Sequence, residues 1–288
     1  MEIFDIFLLE AVVNGILLGG LLALLSLGLN LIFGVIDVVW ICYAELIMIG
    51  MYAVFVLHAQ YGWPLPAAML AGIAVVAALG AALHQFVIRP VLAAEPINQL
   101  LVTGGMLFLL QAVATLAFGI DFRNLGVRMQ PIVVGEMSIS APRVIAFVAA
   151  LAGVGATWLL LSRTYIGTAI RAISQDRAIM PLMGVNPDRI FLVTSALGGG
   201  LAGLAACLLV LQYDIHPAIG LSFGPITFLV CVLGGLGNMV GGFIAAFIFA
   251  QFISVGGFFL HSEWGYVLAF LFFIAAMFWR PQGILGGK

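Results

Sequence analysis

The chain has 288 residues, of which 64% are apolar and 8% charged, with a mean hydropathy of +1.25. A water-soluble domain carries about 25% charged and about 45–50% apolar residues and needs its polar groups to cover its surface, so a soluble enzyme is excluded and an integral membrane protein is required. A formal charge of −2 with no basic run argues against nucleic acid as a partner.

The first apolar run follows Glu2, Asp5 and Glu10 instead of a basic region, and no polar cleavage region comes after it. It reads as a retained span and not a signal peptide. A helical crossing needs about 20 apolar residues, and prolines and polar turns divide the chain into eight apolar blocks. These are Leu8–Phe33, Trp40–His58, Leu65–Ile88, Asn98–Phe118, Val144–Ser162, Ile190–Gln212, Gly224–Val255 and Trp264–Trp279. The fold class is an all-α integral membrane protein, a polytopic helical bundle forming a single transmembrane domain over residues 1–288. Gly19–Gly34 and Gly104–Gly119 match at eight of sixteen positions, as an inverted duplication would. Gly15/Gly19, Gly199/Gly203 and Gly237/Gly241 are each four residues apart, a spacing that places each pair on one helix face for close packing.

Ionisable groups in hydrocarbon are costly and mark functional positions. Glu45 lies well inside the second block with Tyr43 beside it. It faces an aqueous pathway or a polar partner, or else sits at the interface with a satisfied carboxylate. Asn14, Asn30, Tyr43, Thr103 and Gln111 join it as candidate pathway residues. The amides and hydroxyls of this set, with Gln85 and Thr194, serve equally well as bonds between helices. His58, His84 and His261 fall near block boundaries and read as interfacial. Cys42, Cys207 and Cys231 lack paired or metal-type spacing and read as small buried hydrophobes, so no metal site is expected.

The loop from Arg163 to Arg189 holds Arg163, Arg171, Arg177 and Arg189 close to membrane ends, and Arg89, Arg280 and Lys288 follow other spans. The positive-inside tendency makes these regions cytoplasmic. Ile166, Ile170 and Ile173 follow helical spacing with Arg171 and Gln175 on other faces, and Asp176 can cap a second short helix. Such an amphipathic element fits the groove of a soluble partner or lies flat on the bilayer. Asn186 and Pro187 are start signals for the next helix. Asp214 and His216 form a short outer loop that reads as solvated.

The block Gly224–Val255 is too long for one ordinary crossing, and its centre carries Gly234, Gly235, Gly237, Gly241 and Gly242 around Asn238. Glycines weaken a helix, so the block reads as two segments joined at Gly234–Gly242, the alternative being one long tilted helix that packs through its small residues. Parity supports the split: a cytoplasmic Arg163–Arg189 loop and a cytoplasmic C-terminus require an even number of crossings between them. Nine crossings result, with the N-terminus and Arg128 outside.

No Ser/His/Asp, Cys/His or zinc-type constellation is present. A phosphate-cradling loop ends in Gly-Lys-[Ser/Thr], whereas the only lysine is Lys288, so no nucleotide or other cofactor is expected on this chain.

Four segments carry a resemblance. They are Asn14-Gly15…Gly19-Gly20-Leu21-Leu22-Ala23-Leu24, Gly167…Arg171-Ala172…Gln175-Asp176…Gly184-Val185-Asn186…Arg189, Val232-Leu233-Gly234-Gly235-Leu236-Gly237…Gly241-Gly242, and Arg280-Pro281-Gln282-Gly283-Ile284-Leu285-Gly286. In this order, over essentially the whole chain, they resemble the permease subunits of the branched-chain amino acid family of ABC importers. The resemblance implies a multi-pass protein of the bacterial inner membrane, paired with a second permease (a related chain or a copy of itself). It also implies two cytoplasmic ATPase subunits holding ATP and Mg, and an extracytoplasmic solute-binding protein. Gly167, Arg171, Ala172, Gln175, Asp176 and Gly184 then belong to the loop on which the ATPase docks. The family commonly carries Asn-Phe-Ala-His-Gly-Glu where this chain has Trp40-Ile41-Cys42-Tyr43-Ala44-Glu45. The acid is kept and larger aromatic groups enter, which argues against leucine, isoleucine or valine as cargo and leaves other amino acids, amides, urea-like solutes or small carboxylates. The alternatives to an importer are an ion-coupled secondary transporter, with Glu45 as its ion site, and a passive channel gated at Gly234–Gly242.

Overall fold

The computed structural model describes residues 3–127, 129–134, 137–177 and 179–286; Glu2, Arg128 and Lys288, each named above, lie outside the described residues. The helices are α1 Ile3–Ile36, α2 Tyr43–Phe55, α3 Leu65–Leu83, α4 Pro96–Phe118, α5 Ala141–Arg163, α6 Tyr165–Gln175, α7 Pro187–Leu209, α8 Ile219–Gly234, α9 Met239–Phe259 and α10 Ser262–Trp279. Among the described residues, seven helical stretches are long and apolar enough to cross a membrane, and α8 and α10 are shorter apolar helices. Their boundaries follow local chemistry. Asn186 caps α7 by accepting from the Asp188 amide (3.0 Å), with Pro187 in the first turn. Asn238 caps α9 by accepting from the Gly241 amide (2.9 Å).

Small residues set the packing, because lipid is as apolar as a leucine side chain and helices associate through close contact. Gly15 and Gly19 of α1 lie against Gln251 and Phe247 of α9, and Gly199 and Gly203 of α7 lie against Gly80, Val76 and Ile73 of α3. The order of these contacts gives direction. Along α1, positions 15, 19 and 34 meet 251, 247 and 237, so α9 runs antiparallel to it. Leu24 meets Gly153 and Gly20 meets Phe147, so α5 runs parallel to α1. Consequently Arg89, Arg163, Arg171, Arg177, Arg189 and Arg280 gather at one end of the bundle, whereas Arg123 and Arg143 stand at the other. The Arg89–Asp188 ion pair (2.6 Å) joins α3 to the start of α7 at the arginine-rich end. At the opposite end a hairpin pairs Ile132–Val134 with Met137–Ile139. There Asp214 accepts from Asn124 (2.7 Å) and the His216 ring packs on Phe122, so this loop is tied down and not merely solvated.

Several expectations are corrected. The second helix begins at Tyr43, not Trp40: Asp37 takes a positive φ (63°), and the chain turns back into the bundle as a non-helical stretch in which Val38, Trp40 and Cys42 are buried. The broken segment spans Ile219–Phe259, not Gly224–Val255, because α8 continues through Pro225. Gly237 belongs to the turn between α8 and α9, with φ 81° beside Gly235 at φ 100°, so Gly237 and Gly241 do not share a helix face. His84, read as interfacial, is buried within the protein against Phe191.

The break is closed by the chain's own C-terminal segment. Ile284 N–H donates to the Leu233 carbonyl (2.7 Å), and Asn238 Nδ2 donates to the Leu285 carbonyl (2.7 Å). Asn30 of α1 accepts from the Gly237 amide (3.0 Å). A Cβ on Gly241 would overlap the Gly234 carbonyl. Gly241→Ala is therefore expected to cost ~1–3 kcal/mol, read as a lowered unfolding temperature in detergent. Gly104, with nothing near its Cβ position, serves as the comparison, and Gly104→Ala should leave that temperature unchanged or raise it.

Candidate functional site

The re-entrant stretch between α1 and α2 carries one locus. Thr103 Oγ1 of α4 donates to the Val39 carbonyl (3.0 Å), pinning the stretch from the side. Tyr43 donates its hydroxyl to the Gly198 carbonyl at mid-length of α7 (3.3 Å). Glycine at 28 makes room for that hydroxyl, since a Cβ there would overlap it. Glu45 follows in the first turn of α2 and is fully buried, and neither carboxylate oxygen has a hydrogen-bond partner. The carboxylate lies against the first turn of α8: a Cβ on Gly220 would stand 2.6 Å from Oε1 and 2.8 Å from Oε2. The other buried polar atoms without partners among the described residues are uncharged amide, ring and hydroxyl groups, so Glu45 is the acid in that set.

Magnitudes weigh against an ionised carboxylate in this placement. Removing an ionised carboxylate from water costs several kcal/mol even after relaxation. A favourable helix terminus returns about 0.3–1 kcal/mol, and up to ~2 kcal/mol when partly buried. The start of α8 therefore does not by itself offset the cost of burying Glu45 in its ionised form.

The predicted pathway residues do not converge within the chain. Tyr43, Glu45 and Thr103 meet around the re-entrant stretch. Asn30 sits at the arginine-rich end on the α8–α9 turn. Gln111 lies further along α4, partly exposed, with its backbone carbonyl accepting from Thr115 (2.8 Å). Asn14 accepts from Arg143 (2.8 Å) at the opposite end, beside a cavity of about 260 Å³ that also reaches Gln212, Tyr213 and Ser254. Burial, with Tyr266 beside it, raises the Tyr213 phenol above its ordinary value. Gln85 is partly buried, and Thr194 donates to the carbonyl one turn earlier. Cys42, Cys207 and Cys231 are free and buried, and no group of potential metal ligands is present among the described residues.

The loop at the arginine-rich end is the second locus. Thr164 caps α6 by accepting from the Gly167 amide (3.1 Å), and Gly167 presses on the last turn of α5, where a Cβ would overlap Leu161 backbone. Gly167, Ala169, Ile170 and Ile173 are buried, and Arg171, Ser174 and Gln175 point outward. Ile166 is 43% exposed, which removes it from the buried face expected from its spacing. Asp176 ends α6 and accepts from the Ile179 amide (3.2 Å), leading into a 3-10 turn at Met180–Met183 that Gly184 closes at φ 77°. The Arg177 guanidinium stacks over Phe191 of α7 (5.4 Å). Since Ile170 and Ile173 face the protein, the apolar face of α6 is occupied internally and the helix does not offer it to lipid.

Sequence reasoning missed Gly220, the Arg89–Asp188 pair, Arg177 on Phe191 and Asn238. Asn238 before a glycine run was a readable cap; the others are contacts between distant segments.

The family model for the branched-chain amino acid transport system permease component matches residues 11–277. The chain is 30% identical to the high-affinity branched-chain amino acid transport system permease protein BraD of Pseudomonas aeruginosa, over 96% of this chain and 95% of BraD. It is 29% identical to the corresponding permease protein LivH of Escherichia coli K12, over 98% and 96% of the two chains. Among solved structures, a chain of PsaBC from Streptococcus pneumoniae aligns with TM-score 0.47 and 15% identity over 98% of this chain and 93% of that one, a likeness too low to carry an argument.

The Tyr43 geometry is open to test. Gly28→Ala should cost ~1–3 kcal/mol by collision with the hydroxyl, and Tyr43→Phe about 0.5–1.5 kcal/mol from the lost hydrogen bond. In the double variant the colliding atom is gone, so thermal unfolding should give a loss smaller than the sum. Additivity would show that the two residues do not meet.

Proposed function

This chain belongs to the permease components of branched-chain amino acid transport systems, and from that membership we propose a division of labour along its length: the re-entrant stretch handles the solute and the α6 loop receives the ATPase. The chain is a multi-pass membrane protein and a permease subunit of an ABC importer, a class that works with ATPase and solute-binding partners. It resides in the bacterial inner membrane and pairs with a second permease chain. ATP and Mg are held by two partner ATPase subunits, and the cargo is an amino acid or a similar small polar solute. The arginine-rich end faces the cytoplasm, in keeping with the positive-inside tendency.

One observation carries the docking assignment. Helix α6 buries Ile170 and Ile173 inward while Arg171 and Gln175 point outward. Nearby, Leu182 and Met183 are exposed at 84% and 72%. Basic groups flanked by protruding apolar side chains suit a groove on a soluble protein. Motion of that partner has a physical connection to the bundle, because Arg177 stacks on Phe191 and Asn186 caps α7.

Gly167→Val and Arg171→Glu in the assembled importer should each lower ATP-driven uptake by about tenfold or more, the scale of one or two lost charge-assisted contacts. Both chains should remain inserted in the membrane, as judged by alkaline extraction. Undiminished uptake in both variants would remove the loop from the coupling machinery. Orientation is checked separately: a Gln175→Cys reporter should react with membrane-impermeant maleimide only in inside-out vesicles, and Asp121→Cys only in right-side-out ones. The reverse pattern would invert the topology.

A further inference from the structure

A recess of about 780 Å³ lies between α2, α3 and α4, lined by apolar side chains and the Tyr52 ring. Ala53, Ala78, Ala82, Ala114 and Ala117 are among its walls, small side chains that leave the space between the helices unfilled. On α4 it runs from Leu110 to Phe118. That is about 12 Å along a helix axis, most of one leaflet of a hydrocarbon core about 30 Å thick. The α3 and α4 spans are 22% buried in the protein against 83% for α1, so the recess sits on the periphery of the bundle. Arg123 stands at its mouth, at the end opposite the arginine-rich one. Its Cζ lies 5.5 Å from the Phe55 ring centre and 5.9 Å from that of Phe118, and Nη2 donates to the Phe118 carbonyl (2.7 Å). Phe118 in turn walls the recess, stacked on Tyr52 at 4.2 Å. Arg123 forms no ion pair among the described residues, and Asp121, two positions away, is exposed. Tyr61 and Trp63, also exposed, lie just beyond α2 at the same end, the usual place of aromatic residues at a membrane–water interface.

We propose that this recess holds one membrane phospholipid, an acyl chain lying along α3 and α4 and the phosphate resting on Arg123. The inference needs only a chain embedded in a bilayer, and it is independent of the solute and ATPase assignments. Charge complementarity selects the headgroup: a guanidinium is a planar fork of five N–H donors suited to phosphate oxygens. Position agrees, because the cation stands at interfacial level and the apolar walls lie beneath it. Volume selects lipid over a helix of a partner chain. A crossing helix about 10 Å wide and about 30 Å long fills on the order of 2,000 Å³, more than twice the recess. Small-ligand sites occupy about 300–1,000 Å³, a range that contains it. A partner helix in the recess would also leave the guanidinium without an anion. Seated there, the lipid braces α4 against α2, the helix whose first turn carries Glu45.

The test uses the full-length chain in its assembled complex, stripped of lipid in detergent, with bound lipids counted by native mass spectrometry. The probes are dioctanoyl phosphatidylglycerol, dioctanoylglycerol (the same chains without the phosphate) and inorganic phosphate. One tightly held phosphatidylglycerol per chain is expected. It should half-saturate at a concentration about tenfold or more below dioctanoylglycerol, the scale of one charge-assisted contact. Arg123→Gln should remove that preference. Ala78→Phe, at an exposed position lining the recess, should remove the adduct of both lipids. Equal binding of the two lipids, competition by inorganic phosphate at the same concentrations, or an unchanged preference in Arg123→Gln would each overturn the proposal. An undiminished adduct in Ala78→Phe would do the same. So would efficient cross-linking of an Ala117→Cys reporter into a second permease chain, because protein and not lipid would then fill the recess. Should Arg123→Gln fail to assemble, the ranking of the two lipids together with the Ala78→Phe result decides.

Discussion

Backbone amides and carbonyls freed where a helix stops inside a membrane protein have no water to turn to, and each must find a partner in the protein. That constraint organises this fold. Two stretches leave helical geometry within the bundle, the segment between α1 and α2 and the turn between α8 and α9, and both are held by long-range bonds. Thr103 serves the first and Asn30 the second, and the C-terminal residues Ile284 and Leu285 complete the second from the far end of the chain. Uncharged polar residues that read from sequence as pathway candidates are thus partly occupied in satisfying backbone.

With these breaks stabilised, α7 becomes the element shared by the two loci. Its first turns receive Asn186, the Arg89 ion pair and the Arg177 stacking contact, and its midpoint accepts the Tyr43 hydroxyl next to Glu45. A movement of the arginine-rich loop therefore has an unbroken series of packed contacts leading toward the buried acid. Contact continuity supplies a route, and the coupling free energy along it is a separate, measurable quantity.

Much was legible beforehand because membranes impose simple rules on sequence. Apolar block length gave eight segments, glycines at Gly234–Gly242 announced the break in one of them, and Asn186-Pro187 marked the start of α7. Arginine placement separated the two ends. The errors share a cause: local pattern was read without neighbours. Ile166 has the spacing of a buried residue yet is 43% exposed, and His84 sits near a helix end yet is covered by Phe191. Pro225 is an ordinary break signal that α8 tolerates.

What the sequence determined by itself is the class of molecule, a polytopic apolar bundle of helices, because composition and periodicity are properties of the chain and hydrocarbon admits few structures. What only the tertiary structure decided is which polar groups are spent on the fold and which are left over. Asn30 and Glu45 look alike as polar intrusions in apolar blocks; the first accepts from the amide of Gly237, 207 positions away, whereas the second packs against Gly220 with neither carboxylate oxygen hydrogen-bonded. That difference is set by distance in space between residues remote in the chain, which no local pattern encodes.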